Sequence, residues 1–370
     1  MTNLYVKLEG KIGNILIDFE HNFPLKGITV LYGPNGSGKS TIISAIAGFS
    51  HNLKSKIIYK KMVLDNGIKV PSYKRPFGIM FQDPILFEHL NIKQNLDFAD
   101  RRSKPKVGTQ KIISKNELIN HLDLLPLLDR HPENLSGGEK LRVALARTIL
   151  TKSEYLFLDE PMSDIDIKYK AKLLIFLKMI NKKFNIPILY ITHSIEEISQ
   201  IADNLILINN GKKIDYGPAQ DILNNNSFQN LIGKFESSSV LEGLLKSSNK
   251  PFNMTTLDIN GQRLIVPGKP RLENNKVRVR IRSRDVIVSP VKLDFFIVEN
   301  ELEGVVSKIE TETNTAFTEL VITLINKKSE KKFQTLRARI TTYNLQKMKL
   351  RMNSKVFAYI SSVSIDRQAY

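Results

Sequence analysis

Hydrophobic and polar residues alternate at the start of the chain. Apolar side chains occupy every second position from Leu4 to Leu8 and again from Ile15 to Phe19. This period of two predicts strands that bury one face. The continuous apolar run GITVLY (27–32) predicts a buried strand, and the stretch STIISAIAGF that begins at Ser40 predicts a helix. A short glycine-rich segment joins the two.

Strand and helix patterns then alternate as far as residue 209. Further strands are predicted at 77–81, 155–158, 188–192 and 205–209. Helical patterns cover 92–130, 137–150, 167–183 and a stretch from Ile195. Strands that alternate with helices predict a mainly parallel sheet covered by helices, which is an α/β fold.

The pattern changes after about residue 235. Short alternating strands are predicted at 276–283, 304–309, 318–325, 336–340 and 355–365. Such a series without intervening helices predicts an all-β domain of the small-barrel kind. We therefore expect an α/β domain over residues 1–235 and a β-domain over residues 236–370.

Composition narrows the class of protein. A chain of 370 residues, 42% of them hydrophobic, can form about two packed domains. It has no cysteine, which excludes disulfides and thiolate metal sites. No apolar run approaches the roughly 20 residues that span a bilayer, so we expect a soluble chain or one that docks on a membrane through another protein. The net charge of +18 fits nucleic acid, an anionic membrane, anionic ligands or lysines spread over the surface.

The glycine-rich segment GPNGSGKS (33–40) has the spacing G-x-x-x-x-G-K-[ST] of a phosphate-binding loop. Glycines let successive backbone N–H groups face a phosphate chain without a Cβ in the way, and the helix N-terminus adds partial positive charge. We predict nucleotide binding here, with Lys39 on the β- and γ-phosphates and Ser40 on Mg²⁺. The predicted cofactor-binding residues of the loop are Gly33, Pro34, Asn35, Gly36, Ser37, Gly38, Lys39, Ser40 and Thr41.

A second glycine-containing segment, LSGGEK (135–140), begins the helical pattern at 137–150. Ser136 and Glu139 have the spacing of a helix capping box. A serine and two glycines at a bare helix N-terminus also form an anion-binding surface. The two interpretations are compatible, because a capped helix start can also bind an anion. We predict Ser136, Gly137 and Gly138 as contacts of a γ-phosphate whose other side lies in a phosphate loop.

Two carboxylates follow the buried run YLFL (155–158). Asp159 ends the predicted strand, where a carboxylate is costly unless it has a partner. An ion pair or a helix cap would satisfy it, but beside a phosphate loop it is most simply a Mg²⁺ ligand. Glu160 follows immediately and faces another direction. It is the predicted general base that polarises an attacking water.

Two further polar residues follow strands of the same predicted sheet. His193 comes after the strand at 188–192, which places it to reach the γ-phosphate; alone, it would be an ordinary structural histidine. Ser194 and Glu197 have the spacing of another capping box. Gln82 follows the strand at 77–81. By itself it is an ordinary loop amide, but in this setting it can contact Mg²⁺ and the attacking water.

The order and spacing of these segments resemble those of ABC-transporter ATPases. The matching segments are Walker A (33–41), a Q-loop at Gln82, the signature LSGGE (135–139), Walker B YLFLDEP (155–161), a D-loop SDID ending at Asp166 and a switch histidine at His193. The resemblance implies a P-loop NTPase fold, an ABC cassette with a helical subdomain over about 83–150. It implies ATP and Mg²⁺ as cofactors, with Gln82, Glu160 and His193 catalytic and Ser40, Gln82 and Asp159 at the metal.

The resemblance also implies an assembly. Two copies would form a head-to-tail homodimer, in which each ATP lies between Walker A of one copy and Ser136, Gly137 and Gly138 of the other. Asp166 would be a further nucleotide contact. Gln82 and the helical subdomain would lie beside a groove for a membrane subunit.

The C-terminal part resembles the OB-like, mop-type (TOBE-like) β-domain of the ATP-binding subunits of molybdate importers. The stretches that carry this resemblance are SSSVLEG, RVRIRSRDVIV, TLRARIT and YISSVSI, together with the glutamate of LSGGEK. It implies an ATPase that energises molybdate import at the cytoplasmic face of the membrane, with a permease and a periplasmic-type binding protein. Tungstate, sulfate, phosphate, ferric iron and polyamine remain alternative cargoes.

Two other classes of function fit less of the sequence. An ABC-type ATPase acting on nucleic acid usually has a coiled-coil insertion or duplicated cassettes, whereas this chain has one cassette and no sustained heptads, so no nucleic acid partner is expected. A pure oxyanion sensor would not need the set of hydrolysis residues.

Two stretches depart from the family patterns. GKIGNIL (10–16) has no aromatic residue to stack on adenine. The stretch IVEN (297–300) has Glu299 where the mop pattern has an arginine. A carboxylate repels a dianion, so we expect no tight oxyanion binding by this segment.

Overall fold

The computed structural model describes most of the chain. The described residues are 3–50, 52–102, 113–163, 165–232, 237–249, 253–268, 276–293, 298–311, 315–327, 333–360 and 364–365. The chain divides into two units, Met1–Ala219 and Gln220–Tyr370.

The first unit combines a large sheet with helices. Its described strands are β1 (Asn3–Ile12), β2 (Ile15–Pro24), β3 (Ile28–Tyr32), β4 (Lys54–Tyr59), β5 (Met62–Asn66), β6 (Phe77–Met80), β7 (Tyr155–Asp159), β8 (Ile188–Ile191), β9 (Asn204–Asn209) and β10 (Lys212–Pro218). Its described helices are α1 (Lys39–Ala47), α2 (Ile92–Arg102), α3 (Lys115–His121), α4 (Gly137–Leu150), α5 (Ile167–Phe184) and α6 (Ile195–Ile201).

The buried strands lie at one side of this sheet, whose order is β5-β4-β1-β2-β10-β9-β3-β8-β7-β6. The strands from β9 to β6 in this order are mutually parallel. Every residue of β7 and β8 is buried. Strands buried on both faces need helices on both sides, so the predicted α/β fold is confirmed. The carboxyl ends of β3, β7 and β8 place the predicted site residues at one edge.

The other side of the sheet is antiparallel. The alternation near the N-terminus is confirmed: Leu4, Val6 and Leu8 of β1 are fully buried, and Ile17 and Phe19 of β2 lie in the same core. Strands β4, β5 and β10 were not predicted. They are short, or mostly exposed, and carry little hydrophobic alternation; β5 is at the edge of the sheet, whereas β4 and β10 are paired on both sides.

Helices α2, α3 and α4 form an insert between β6 and β7. Predicted helix 92–130 contains α2 and α3, while residues 103–112 lie outside the described part. The buried side chain of Asn95 fixes the loop before α2, because it accepts from the N–H of Phe87 (2.9 Å) and donates to the carbonyl of Leu90 (2.9 Å).

The second unit is built mainly from strands. Its described elements are α7 (Ala219–Asn224), α8 (Asn226–Ile232), β11 (Ser238–Asn249), β12 (Met254–Ile259), β13 (Gln262–Pro267), β14 (Lys276–Arg282), β15 (Val286–Ser289), β16 (Asn300–Thr311), β17 (Phe317–Leu324), β18 (Thr335–Thr341), α9 (Thr342–Lys347), β19 (Lys355–Ile360) and β20 (Ser364–Ile365). The strands β11 to β20 form two five-stranded antiparallel sheets around one hydrophobic core. The second, all-β domain is confirmed, and its form is consistent with a small barrel.

Helices α7 and α8 group with the second unit. The side chain of Asn224 exchanges hydrogen bonds with both backbone groups of Val240 (3.0 and 3.1 Å), and Gln229 donates to the carbonyl of Ser238 (3.2 Å). These contacts explain why the units divide at residue 219, before the boundary at 235 that the sequence pattern predicted.

Candidate nucleotide site

The loop between β3 and α1 has the geometry of a phosphate cradle. Gly36 and Gly38 have φ of +75° and +97°, where a residue with a Cβ is strained. A Cβ on Gly33 would lie 2.2 Å from the carbonyl oxygen of Ile208 in β9. Glycine is thus required at Gly33 by close packing and at Gly36 by its positive φ, while both reasons apply at Gly38.

Lys39 begins α1 and lies under the loop. Its ammonium donates to the carbonyls of Gly33 (2.9 Å) and Pro34 (3.0 Å), and its side chain is buried. Burial lowers the pKa of the ammonium below its ordinary value, although Glu160 and Asp159 oppose this shift. The cation is thus held at the loop with two carboxylates nearby.

Asp159 is the last residue of β7 and is only 3% exposed. Burial raises the pKa of its carboxyl, although a hydrogen bond with Ser40 opposes the shift. Within the described part of the chain, its Oδ1 atom is buried and has no hydrogen-bond partner. An unpaired carboxylate oxygen beside a serine hydroxyl is a donor set that suits a hard cation such as Mg²⁺.

Glu160 lies at the carboxyl end of the same strand in a left-handed conformation (φ 45°), with its N–H bonded to the carbonyl of Ile191 (3.1 Å). Its Oε2 atom is 3.2 Å from Nδ1 of His193, which follows β8. The imidazole is mostly exposed and the carboxylate mostly buried. The structure thus brings together the phosphate loop and the two strand-end carboxylates, with His193 against Glu160.

The cap before α6 differs from its prediction. Ser194 accepts from the N–H of Glu197 (3.3 Å), as a cap should. The Glu197 carboxylate does not return to the cap, so the predicted capping box is wrong. It accepts instead from the hydroxyls of Thr192 (2.6 Å) and Tyr190 (2.8 Å), which fixes the end of β8 before His193.

The remaining predicted residues lie on exposed loops and helix ends. Ser136 caps α4 in a complete capping box with Glu139. Ser136 and Gly137 are exposed, as are Gln82 and Asp166, the N-cap of α5. Among the described residues, no hydrogen bond or ion pair joins these groups to the phosphate loop of the same chain.

Arg75 holds the C-terminal end of α1 and was not predicted. Its buried guanidinium donates to the carbonyls of Ile46 (2.5 Å) and Ala45 (3.3 Å), which end α1, and to that of Val70 (2.9 Å). A cation at a helix C-terminus is stabilising. A Cβ on Gly48 would lie 2.7 Å from Nε of Arg75, so the two positions are coupled. No local pattern in the sequence marks this arginine.

A groove of about 530 Å³ lies between the segment after β6, α2 and α4. Tyr73, Ile85 and Phe98 give it an exposed apolar lining, and Arg102 and Arg147 add positive charge. Arg147 is fixed in place, since it donates to the carbonyl of Ile85 (2.9 Å) and stacks on Phe87.

Among the described helices, none is both long and apolar enough to cross a membrane.

Comparison with known proteins gives consistent matches. A family model described as ABC transporter matches residues 16–163. The molybdenum import ATP-binding protein ModC of Saccharophagus degradans is 31% identical over 98% of this chain and 99% of its own length. ModC of Pasteurella multocida is 30% identical over 98% and 99%. A solved dimeric, post-hydrolysis structure of the ATP-binding cassette MJ0796 with ADP and Pi covers 58% of this chain and 98% of its own, at 20% identity and a TM-score of 0.50, which shows a shared fold.

The cassette fold, the phosphate loop and the strand-end carboxylates define an ATP-binding cassette ATPase. The chain belongs to the family of ABC transporter ATP-binding proteins, whose members hydrolyse ATP as subunits of transporters. The two named relatives that match nearly its whole length are both molybdenum import ATP-binding proteins.

Proposed function

We propose that this chain is the ATP-hydrolysing subunit of a molybdate importer. The observation that supports the cargo is the likeness to molybdenum import ATP-binding proteins, which runs through both units and not only the cassette. Tungstate, a tetrahedral dianion of similar chemistry, is the nearest alternative cargo. Sulfate, phosphate, ferric iron and polyamine are further alternatives.

The predicted roles follow from the contacts at the phosphate loop. Lys39, already held among loop carbonyls, binds the β- and γ-phosphates when nucleotide enters. Ser40, Asp159 and Gln82 would hold Mg²⁺, which when bound neutralises phosphate charge. The buried, unpaired Oδ1 atom of Asp159 supports this assignment.

Glu160 is the proposed general base. Its carboxylate accepts a proton from the attacking water, and His193 at 3.2 Å orients it and senses the γ-phosphate. The backbone of Glu160 is left-handed, and its carboxylate contacts His193 while the Asp159 carboxyl hydrogen-bonds with Ser40, so two adjacent carboxylates can hold different roles.

We further propose a head-to-tail homodimer. Ser136 and Gly137 at the start of α4 are exposed, and the first N–H groups of a helix have no partner within the helix, so Ser136, Gly137 and Gly138 can contact nucleotide held by the phosphate loop of a second copy. Asp166 contributes from the start of α5. ATP would then close the dimer and hydrolysis would open it again.

The groove beside α2 and α4 is the proposed docking site for a membrane permease at the cytoplasmic face of the membrane. Its apolar and aromatic lining fits one face of a short helix, as in other helix-in-groove contacts. A periplasmic-type binding protein would deliver the cargo to the permease. No nucleic acid partner is proposed.

The test measures ATP hydrolysis by the chain together with its permease in vesicles. We expect binding protein loaded with molybdate to stimulate hydrolysis more than the same protein offered sulfate, with tungstate between the two or equal to molybdate. Stimulation by sulfate, phosphate, ferric iron or polyamine binding proteins, without a response to molybdate, would contradict the proposed cargo. Hydrolysis that responds to no binding protein would contradict the importer role.

A further inference from the structure

One polar cluster joins the two helices whose ends carry the proposed dimer contacts. It consists of Leu122, Asp123, Arg142, Tyr169 and Lys172, and is named here the Tyr169 joint. The Tyr169 hydroxyl hydrogen-bonds to the carbonyl of Leu122 (2.9 Å) and to Oδ2 of Asp123 (3.0 Å), and it accepts from Nη1 of Arg142 (3.1 Å).

Further contacts enclose this hydroxyl. Arg142 also donates to the carbonyls of Leu122 (3.0 Å) and Asp123 (3.2 Å), and its guanidinium stacks 4.6 Å from the centre of the Tyr169 ring. Lys172 forms an ion pair with Asp123 and also lies over the ring, at 5.3 Å. The phenol is therefore at the centre of contacts from the turn after α3, from α4 and from α5.

The joint lies close to both proposed dimer contacts. Arg142 is six residues after Ser136 on α4, about 9 Å along the helix. Tyr169 is in the first turn of α5, and its own N–H donates to the Oδ1 atom of Asp166 (3.0 Å). A shift of either helix start against the other would therefore stretch hydrogen bonds within one or two turns of it.

Stability alone does not explain this arrangement. The side chains of Asp123 and Lys172 are each 48% exposed, and ion pairs as exposed as this contribute little to stability. Tyr169 itself is only half-buried. The hydroxyl instead fixes the position of the Tyr169 side chain, because its three hydrogen-bond partners lie in the turn after α3 and on α4.

We propose that Tyr169 is a positioning residue for ATP hydrolysis, which locks the start of α5 to the start of α4 so that Asp166 and Ser136 reach the nucleotide of the second protomer as one unit. This inference rests on the proposed head-to-tail dimer. Its distinctive consequence is that Tyr169 acts in trans: it serves the nucleotide bound by the partner protomer and not the one in its own phosphate loop.

The test uses mixed dimers of the full chain. Protein A carries Glu160→Gln and binds ATP; protein B carries Lys39→Ala and does not. Because the chain has no cysteine, a single Lys61→Cys substitution on an exposed turn gives each protein one dye for energy transfer. In an A–B pair, nucleotide lies only between the phosphate loop of A and the α4 end of B.

We expect Tyr169→Phe in B to raise the Mg-ATP concentration for half-maximal A–B association about tenfold, the size of one or two lost hydrogen bonds. With A held at trace concentration under a large excess of B, so that A–A pairs are negligible, the same substitution in A should leave that concentration unchanged. The melting temperature and the ADP affinity of the variant should stay at the parental values. Tyr343→Phe, at an exposed tyrosine of the second unit, is the matched control and should change nothing.

Other outcomes would overturn the inference. Equal weakening from A and from B would make Tyr169 merely structural, as would a lowered melting temperature with unchanged association. Unchanged association from both sides would remove its role altogether. If protein A alone and the A–B mixture both remain monomeric in saturating Mg-ATP, the proposed dimer fails, and the inference fails with it.

Discussion

The two halves of the proposed site differ in how complete each is within one chain. On the phosphate-loop side, Lys39 and Asp159 are buried, and Asp159 keeps an oxygen atom without a hydrogen-bond partner in the described part of the molecule. On the side of α4, Ser136 and Asp166 are exposed, and each already serves as the cap of its own helix.

This difference indicates how a site divided between two molecules keeps each half stable. A buried half must be preorganised, because burial of charge is tolerated only in a fixed geometry. An exposed half must satisfy its own polar groups until another molecule arrives, and a capping box does so without occupying the remaining N–H groups of the helix. The four predictions that follow separate the two halves.

The largest effect should come from the buried half. We expect Glu160→Gln to lower kcat for ATP hydrolysis about 10²- to 10⁴-fold, because the amide cannot accept the proton of the attacking water. ATP affinity should remain within a few-fold of the parental value. The measurement is steady-state hydrolysis beside equilibrium binding of ATP. Parental turnover by this variant would show that another residue is the base.

The next effect separates the two roles of Ser136. Aspartate caps helices as well as serine does, so Ser136→Asp should keep the melting temperature within a few degrees. Its charge should repel a γ-phosphate and weaken ATP-driven dimerisation roughly 100-fold, while ATP binding to the single protomer is unchanged. Ser136→Ala is the control: it loses the cap, at a cost of about 1 kcal/mol, without adding charge. Sedimentation in Mg-ATP measures the association. Parental dimerisation of the aspartate variant would exclude this helix end from the interface.

Gly33→Ala tests how closely the loop is packed. The added Cβ would lie 2.2 Å from the carbonyl oxygen of Ile208, so the loop or β9 must move. We expect ATP affinity to fall about tenfold and the free energy of unfolding by about 1–3 kcal/mol. Gly13→Ala is the control for ATP affinity: nothing lies within 4 Å of its added Cβ, and its φ of +57° strains the alanine, so it can lower stability without disturbing the loop. Equal affinity in the two variants would contradict the packed loop.

How far the sequence predicts this molecule depends on the range of the contacts concerned. The phosphate loop, the cap at Ser136 and the buried strands were predictable because each is determined within a few neighbouring residues. The capping box at Ser194 failed because Tyr190 of β8 and Thr192, just after that strand, donate to the carboxylate of Glu197, which therefore does not return to the cap.

Contacts between distant segments carry no local pattern. Arg75 meets the end of α1 about 30 residues before it in the chain, and Tyr169 meets the turn at Leu122 about 47 residues away. Neither residue belongs to a motif.

The IVEN stretch is only partly described. Ile297 lies outside the described residues, while Asn300 bonds to both backbone groups of Ile265 and so joins β16 to β13. That this segment, with Glu299 in place of arginine, does not bind an oxyanion tightly remains a prediction.

The smallest effect should come from the charge on Asp159. Burial raises the pKa of this carboxyl, so the folded protein binds its proton more tightly than the unfolded chain does. The ionised side chain therefore destabilises the fold above the folded-state pKa, and stability is regained as the pH falls through that pKa. We expect Asp159→Asn, measured without Mg²⁺, to raise the free energy of unfolding by about 1 kcal/mol at pH 7 and by little near pH 4. Excess Mg²⁺ should reverse the order at pH 7, because only the parental carboxylate binds the cation.

The parallel substitution Asp166→Asn, at an exposed cap, should show no such pH dependence, since asparagine caps as well as aspartate. Melting curves of both variants at the two pH values, with and without Mg²⁺, measure these differences. If Asp159→Asn destabilises the protein at pH 7 without Mg²⁺, then Asp159 holds the fold together through its charge, and the buried half is not a cation site of the proposed kind.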